Sequence, residues 1–164
     1  MIDWQLIVDK HGQSVWQTAY RLLGTHSESA DCFQETFICA LEVSKRQRVW
    51  NFSALLVSLA TSRAIDRLRQ RFRDSKFREE AVDLVFVPTK GPGPVEQLQV
   101  QELAGWLRRS LTQLQPQEAQ VFCLRFLNGM SYRRIAKELG ITTGTTGVLL
   151  HRARSKLQDF LEAT

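Results

Sequence analysis

Residues 52–72 read FSALLVSLATSRAIDRLRQRF. Phe52, Leu56, Ala60, Ala64, Leu68 and Phe72 recur at every fourth position, and Leu55, Leu59 and Ile65 widen that row. No glycine or proline interrupts it. An apolar row of this period lies along one side of an α-helix, so the stretch predicts a long amphipathic helix of about six turns. Its last third carries Arg63, Arg67, Arg69, Arg71 and Arg73 against a single acid, Asp66. For Asp66 the expectation is an ion pair within the helix, three or four residues away.

Upstream, the sequence also reads as helices. Val15, Ala19 and Leu22 run beside Trp16, Tyr20 and Leu23 at helical spacing, and Gly24 is placed to end that helix. Ser27 is the expected cap of the next, with Glu28 and Asp31 suited to its positive end. There Phe33, Phe37 and Leu41 form an inward row, while Asp31, Gln34 and Glu35 share another face. A basic loop, Lys45-Arg46-Gln47-Arg48, leads to Trp50 and the long helix.

Downstream, Pro88-Thr89-Lys90-Gly91-Pro92-Gly93-Pro94 holds three of the four prolines and fits neither a helix nor an interior strand. It reads as a linker between domains, stiffened by its prolines. The short apolar run 82–87 before it is the main strand signal. After it, Leu103, Leu107, Leu111 and Leu114 line one helix; Pro116 and Glu118 suit the first turn of the next, which Asn128-Gly129 ends. Ser131 can cap a short helix over 132–138, Leu139-Gly140-Ile141 is a tight turn, and Thr142 or Thr143 can cap a final helix to about residue 161. A short helix, a glycine-centred turn and a longer helix form the helix-turn-helix pattern, whose second helix enters the DNA major groove.

The expected fold is therefore all-α: two small helical domains, 1–73 and 96–164, joined by a Pro/Gly-rich linker over 74–95. The net charge is +5. Residues 1–73 carry ten Lys/Arg and seven Asp/Glu, and residues 96–164 nine and six, so two basic blocks flank a slightly acidic middle. No apolar run is long enough to cross a bilayer, and the N-terminus lacks the basic start and cleavage site of a signal peptide. Cys32, Cys39 and Cys123 show no zinc-ligand spacing and read as reduced thiols of a cytoplasmic protein. His11, His26 and His151 are scattered, and no phosphate loop is present. No catalytic residue, metal site or cofactor is expected, and an enzyme is the least expected class.

Three stretches, in this order, resemble the bacterial sigma factors of the extracytoplasmic-function type. Asp31-Cys32-Phe33-Gln34-Glu35-Thr36-Phe37 is similar to D-x-x-Q-E-T-F. The run from Leu59 to Arg69 is similar to I-A-x-N-x-A-I-D-x-L-R. Leu114 through Leu157 resembles the terminal helix-turn-helix, including Ser131-Tyr132, Ile135-Ala136 and His151-Arg152-Ala153-Arg154. The resemblance implies a chain that binds core RNA polymerase (β and β′ subunits) and promoter DNA and directs initiation, with no membrane insertion. Any regulator, such as an anti-sigma factor, is expected to be a separate protein.

The resemblance places polymerase binding on Asp31, Gln34 and Glu35. Binding of the minus-ten element is expected from Lys45, Arg46, Arg48, Arg63, Arg67, Arg69 and Arg71 on phosphates, with Trp50 stacking on splayed bases; Phe52 is expected in the core. Binding of the minus-35 element is expected from Arg133, Arg134 and Arg152 on the backbone, with Thr143, Thr145 and Leu149 reading thymine methyls and acceptor atoms. The chain departs from the family where Gly147 and Leu149 replace a Lys and an Arg of the final helix, and where Arg133-Arg134 replaces an acidic pair. Two alternatives share the pattern: a sigma-like decoy or adaptor that binds a sigma regulator, and a stand-alone helix-turn-helix DNA-binding regulator.

Overall fold

A computed structural model of the chain describes residues 1–74 and 94–163. Among these residues there are seven helices and no strand: α1 (Trp4–Leu23), α2 (His26–Arg46), α3 (Phe52–Asp74), α4 (Pro94–Gln113), α5 (Pro116–Phe126), α6 (Tyr132–Leu139) and α7 (Thr143–Glu162). The apolar run 82–87 and most of the proline-rich stretch lie outside the described residues. Pro94 and Val95, read above as linker, instead open α4. A proline fits there, because the first turn of a helix leaves its N–H groups unpaired in any case.

The long helix α3 is the spine of the molecule. Leu56, Ala60, Ala64 and Leu68 are completely buried. Phe52 sits at the edge of the core, its ring meeting Trp4 edge-on at 5.8 Å. Helices α1 and α2 pack on α3 around Val15, Ala40, Phe33 and Phe37. Gly24 takes the left-handed conformation (φ 73°) and its N–H closes α1 on the Tyr20 carbonyl. Thr25 then extends at once and α2 begins at His26, so Ser27 lies inside the helix and is not its cap.

In the C-terminal half, Gln115 and Glu118 form a reciprocal capping box that brackets Pro116. Ser131 and Thr142 cap α6 and α7 by accepting from Arg134 N–H and Thr145 N–H. Gly140, at φ 67°, makes the turn between them. Val121, Leu124, Ile135, Leu149 and Leu150 hold the three helices together. Glu118 is buried and receives Lys156 Nζ at 2.8 Å and Gln115 N–H at 3.0 Å, tying α5 to α7.

Burial alone would raise the Glu118 pKa. The hydrogen bonds from Lys156 and Gln115, with the charges of Lys156 and Arg152, outweigh it and hold the carboxyl below its usual range. A depressed folded-state pKa gives stability that is complete above the unfolded carboxylate value of about 4.3 and is lost as pH falls through the folded value. Glu118→Gln is expected to lower stability by about 1–2 kcal/mol at neutral pH and to flatten the acid limb. Urea unfolding of both proteins between about pH 7 and pH 3 measures this; parallel acid limbs contradict it.

The two halves pack against each other. Leu22, Leu23, Ala64, Ile65 and Leu68 share one buried cluster with Leu111, Leu114, Ala119, Cys123, Ala153 and Leu157. Each leucine buried in that seam contributes about 2 kcal/mol. Burial pushes the Cys32 thiol up to about 11 and raises Cys123 too, while Cys39 is half-exposed.

Candidate nucleic-acid and polymerase interface

Helix α2 turns two different faces outward and inward. Ser29, Cys32, Thr36 and Ala40 are buried. Asp31, Gln34, Ile38 and Glu42 are exposed and follow one another at helical spacing. Asp31 and Glu35 are already in use: Arg67 pairs with Glu35 and lies 3.9 Å from Asp31. Gln34 has no partner among the described residues. Ile38, 60% exposed, is an apolar centre in an otherwise polar strip. It went unremarked in the sequence, though it lies four residues from Gln34.

The arginines of α3 are engaged within the molecule. Arg63 Nη2 approaches Cys39 Sγ at 3.0 Å, Arg67 takes Glu35, and Arg71 Nη2 takes Glu28 Oε2 at 2.6 Å. Residues 63, 67 and 71 form one row at four-residue spacing, which runs antiparallel to 39, 35 and 28 on α2. Arg69, on a different side, donates to the carbonyl of Leu114. So Arg67, Arg69 and Arg71, expected on phosphates, bind within the molecule here, and Arg63 lies against α2. Opposite charges close at hand on the neighbouring helix win over solvent. Asp66 is exposed and pairs with no described residue, so the expected ion pair within the helix does not form.

Lys45, Arg46, Arg48 and Trp50 remain outside. They end α2 and fill the loop to α3. Trp50 is 74% exposed, and the Arg48 guanidinium lies over its ring at 4.1 Å. An indole held open to solvent with a cation on one face can stack on a base through its other face.

In the helix-turn-helix, Arg133 is exposed and Arg134 is half-buried, 3.5 Å from Glu138. Thr143, Gly144, Thr145, Val148, His151 and Arg152 form the open side of α7. Leu149 does not belong to it. With 8% exposure, Leu149 is part of the core, in a row with Thr146, Leu150, Ala153 and Leu157. Val148, 49% exposed, presents the apolar surface that Leu149 was expected to offer. A Cβ on Gly147 would fall 3.8 Å from the Tyr132 ring, an ordinary packing distance. Leu149→Ala is expected to cost about 2–4 kcal/mol, and Val148→Ala no more than about 0.5 kcal/mol. Chemical denaturation of both variants checks the assignment, and equal losses would reverse it.

Comparison with known proteins agrees with this arrangement. The family descriptions "Sigma-70 region 2" and "Sigma-70, region 4" match residues 7–73 and 104–157. The ECF RNA polymerase sigma factor SigE of Mycolicibacterium smegmatis is 31% identical over 163 residues, covering 98% of this chain and 62% of that protein. The ECF RNA polymerase sigma factor SigW of Bacillus subtilis is 27% identical, covering 94% of this chain and 87% of that one. Among solved structures, the sigma factor RpoE in complex with the anti-sigma factor NepR from Bartonella quintana has a TM-score of 0.58 at 22% identity, covering 98% of this chain and 97% of that chain. CnrH in complex with the cytosolic domain of CnrY has the same score and identity, with 97% and 87% covered. At that identity the two structures bear on the fold alone.

Proposed function

Because this chain belongs to the sigma-70 family, among the extracytoplasmic-function sigma factors, we propose that it binds core RNA polymerase and carries it to promoters through two DNA-reading elements. The carrying observation is that three surfaces are open at once on one chain. These are the α2 strip around Gln34 and Ile38, the Trp50 loop, and the exposed side of α7. Asp31, Gln34 and Glu35, with Ile38, meet the β′ subunit. Lys45, Arg46, Arg48 and Trp50 take the minus-ten element. Arg133, Arg152, Thr143, Thr145 and Val148 take the minus-35 element. Its part in initiation is binding and not catalysis, and its place is the cytoplasm. No helix among the described residues is long and apolar enough to cross a membrane. A separate anti-sigma protein is the fitting class of regulator.

The minus-35 contact is weighted toward the backbone. Arg133 and Arg152 are exposed and make no ion pair with a described residue, whereas the bases meet hydroxyls and the Val148 methyls. Replacing both arginines with alanine is expected to reduce promoter-directed transcription about tenfold and to reduce the salt slope of promoter binding by about 2. Reconstituted transcription across a series of minus-35 base changes measures the other half of the claim. Shallow dependence at every position fits this assignment, whereas a steep guanine requirement contradicts it, since with Arg133 and Arg152 on the backbone the side chains left for the bases, Thr143, Thr145 and Val148, offer no bidentate donor.

A further inference from the structure

The end of α2 and the loop after it hold three cations, Lys45, Arg46 and Arg48, and their surroundings differ. Lys45 stands 3.9 Å from Glu42, one turn back on α2. Arg46 is exposed and has no partner among the described residues. Arg48 is exposed too and has no carboxylate partner among them, yet its guanidinium has a fixed place, 4.1 Å over the Trp50 ring. Both residues sit on a short span pinned at its two ends. Gln47 is extended (φ −150°, ψ 157°), and its N–H closes α2 on the Val43 carbonyl at 3.0 Å. Asn51 Oδ1 accepts from Ala54 N–H at 2.9 Å, and the Asn51 carbonyl accepts from Leu55 N–H at 3.1 Å, which starts α3. Val49 between them is half-buried, so Arg48 and Trp50 share the outer side.

The Trp50 indole is 74% exposed and stacks on no other described ring. An indole this open can turn about its two side-chain bonds. At an exposed site, a cation over its face favours the orientation that keeps the contact by about two- to fivefold. The ring has two faces, and the guanidinium covers one. A side chain that wedges between stacked bases needs both faces. A platform that receives one unpaired base needs a single face.

We propose that Arg48 is a positioning residue and not a phosphate contact: it holds Trp50 as a one-faced platform that takes a single splayed base of the minus-ten strand. The proposal rests on the reading of Trp50 as part of the minus-ten contact. The order of the stack is then guanidinium, indole, base. Arg48 lies behind the ring, and the ring itself separates it from the strand. The phosphates beside that base are left to Lys45 and Arg46.

The test is a double-substitution cycle in the holoenzyme, formed from the full chain and core polymerase. The probe is a non-template-strand oligonucleotide of the minus-ten region, taken from a promoter that this holoenzyme transcribes. It carries 2-aminopurine at each position in turn, whose fluorescence falls when the base stacks on an indole. All of the substituted side chains are exposed, so each variant is expected to keep the fold, which circular dichroism checks. Trp50→Ala is expected to weaken binding about tenfold and to abolish quenching at one position. Arg48→Ala alone is expected to weaken binding about threefold and to reduce that quenching. In the Trp50→Ala protein, Arg48→Ala is expected to change nothing further, because a residue that acts through another has no effect once the other is gone. The salt slope of binding is the second readout. Arg46→Ala should lower it by about 0.7, the loss of one phosphate contact on a single strand, and Arg48→Ala should leave it unchanged. Equal losses from Arg48→Ala in both backgrounds, with a lowered slope, make Arg48 a phosphate contact and overturn the proposal while the minus-ten reading stands. Quenching at two adjacent positions overturns the one-faced platform. Unchanged binding by Trp50→Ala overturns the minus-ten reading of that residue, and the proposal with it.

Discussion

Replacing Gln34 with alanine and Ile38 with glutamate is expected to weaken association with core RNA polymerase about thirtyfold, a loss of about 2 kcal/mol. Both side chains are exposed, and neither is hydrogen-bonded to a described residue. Removing them therefore leaves the α2 packing row of Cys32, Thr36 and Ala40 untouched, and circular dichroism should be unchanged. Glu35 is a poorer probe. It holds Arg67, so its removal disturbs the seam between α2 and α3 as well as the outer face. The double variant binding core within twofold of the parent would remove α2 from the polymerase contact.

Trp50→Ala is expected to reduce open-promoter formation about tenfold and to leave binding to fully paired minus-35 DNA unchanged. Stacking of one base on an aromatic ring is worth about 1–3 kcal/mol, and only unpaired bases can use it. Folding stability should hold to within about 0.5 kcal/mol, because the ring is mostly in solvent. Permanganate footprinting of the melted region separates the two steps. Equal melting by the variant would make Trp50 a surface residue held by Arg48 and nothing more.

The fold was readable wherever a local rule decides it. The four-residue apolar row fixed α3 as the spine, and Gly24, Pro116, Ser131 and Gly140 each end or begin a helix as their backbone chemistry demands. Ser27 was misplaced because Gly24 and Thr25 complete the turn sooner than a serine cap requires. The site was less readable, because exposure depends on which neighbour covers a side chain. A cluster of arginines reads as a phosphate surface only if no acid faces it. Here Arg63, Arg67 and Arg71, four residues apart, meet Cys39, Glu35 and Glu28 on α2, which are four and seven apart, a pairing that shows only once the two helices are set antiparallel. Leu149 was likewise recoverable: Thr146, Leu149, Leu150, Ala153 and Leu157 repeat at three and four residues, which is the signature of a core row. The contact of the two halves was not recoverable, since no periodicity reports which helix terminus a distant arginine will reach.

The most direct measurement of the central claim is initiation itself. Core polymerase is reconstituted with the purified chain and supplied with genomic DNA of the host, and the 5′ ends of the transcripts are mapped. The account predicts a limited set of start sites, each preceded by a shared pair of elements near minus ten and minus 35, and absent with core alone. Start sites no different from those of core alone, with a folded chain present in excess, would contradict it.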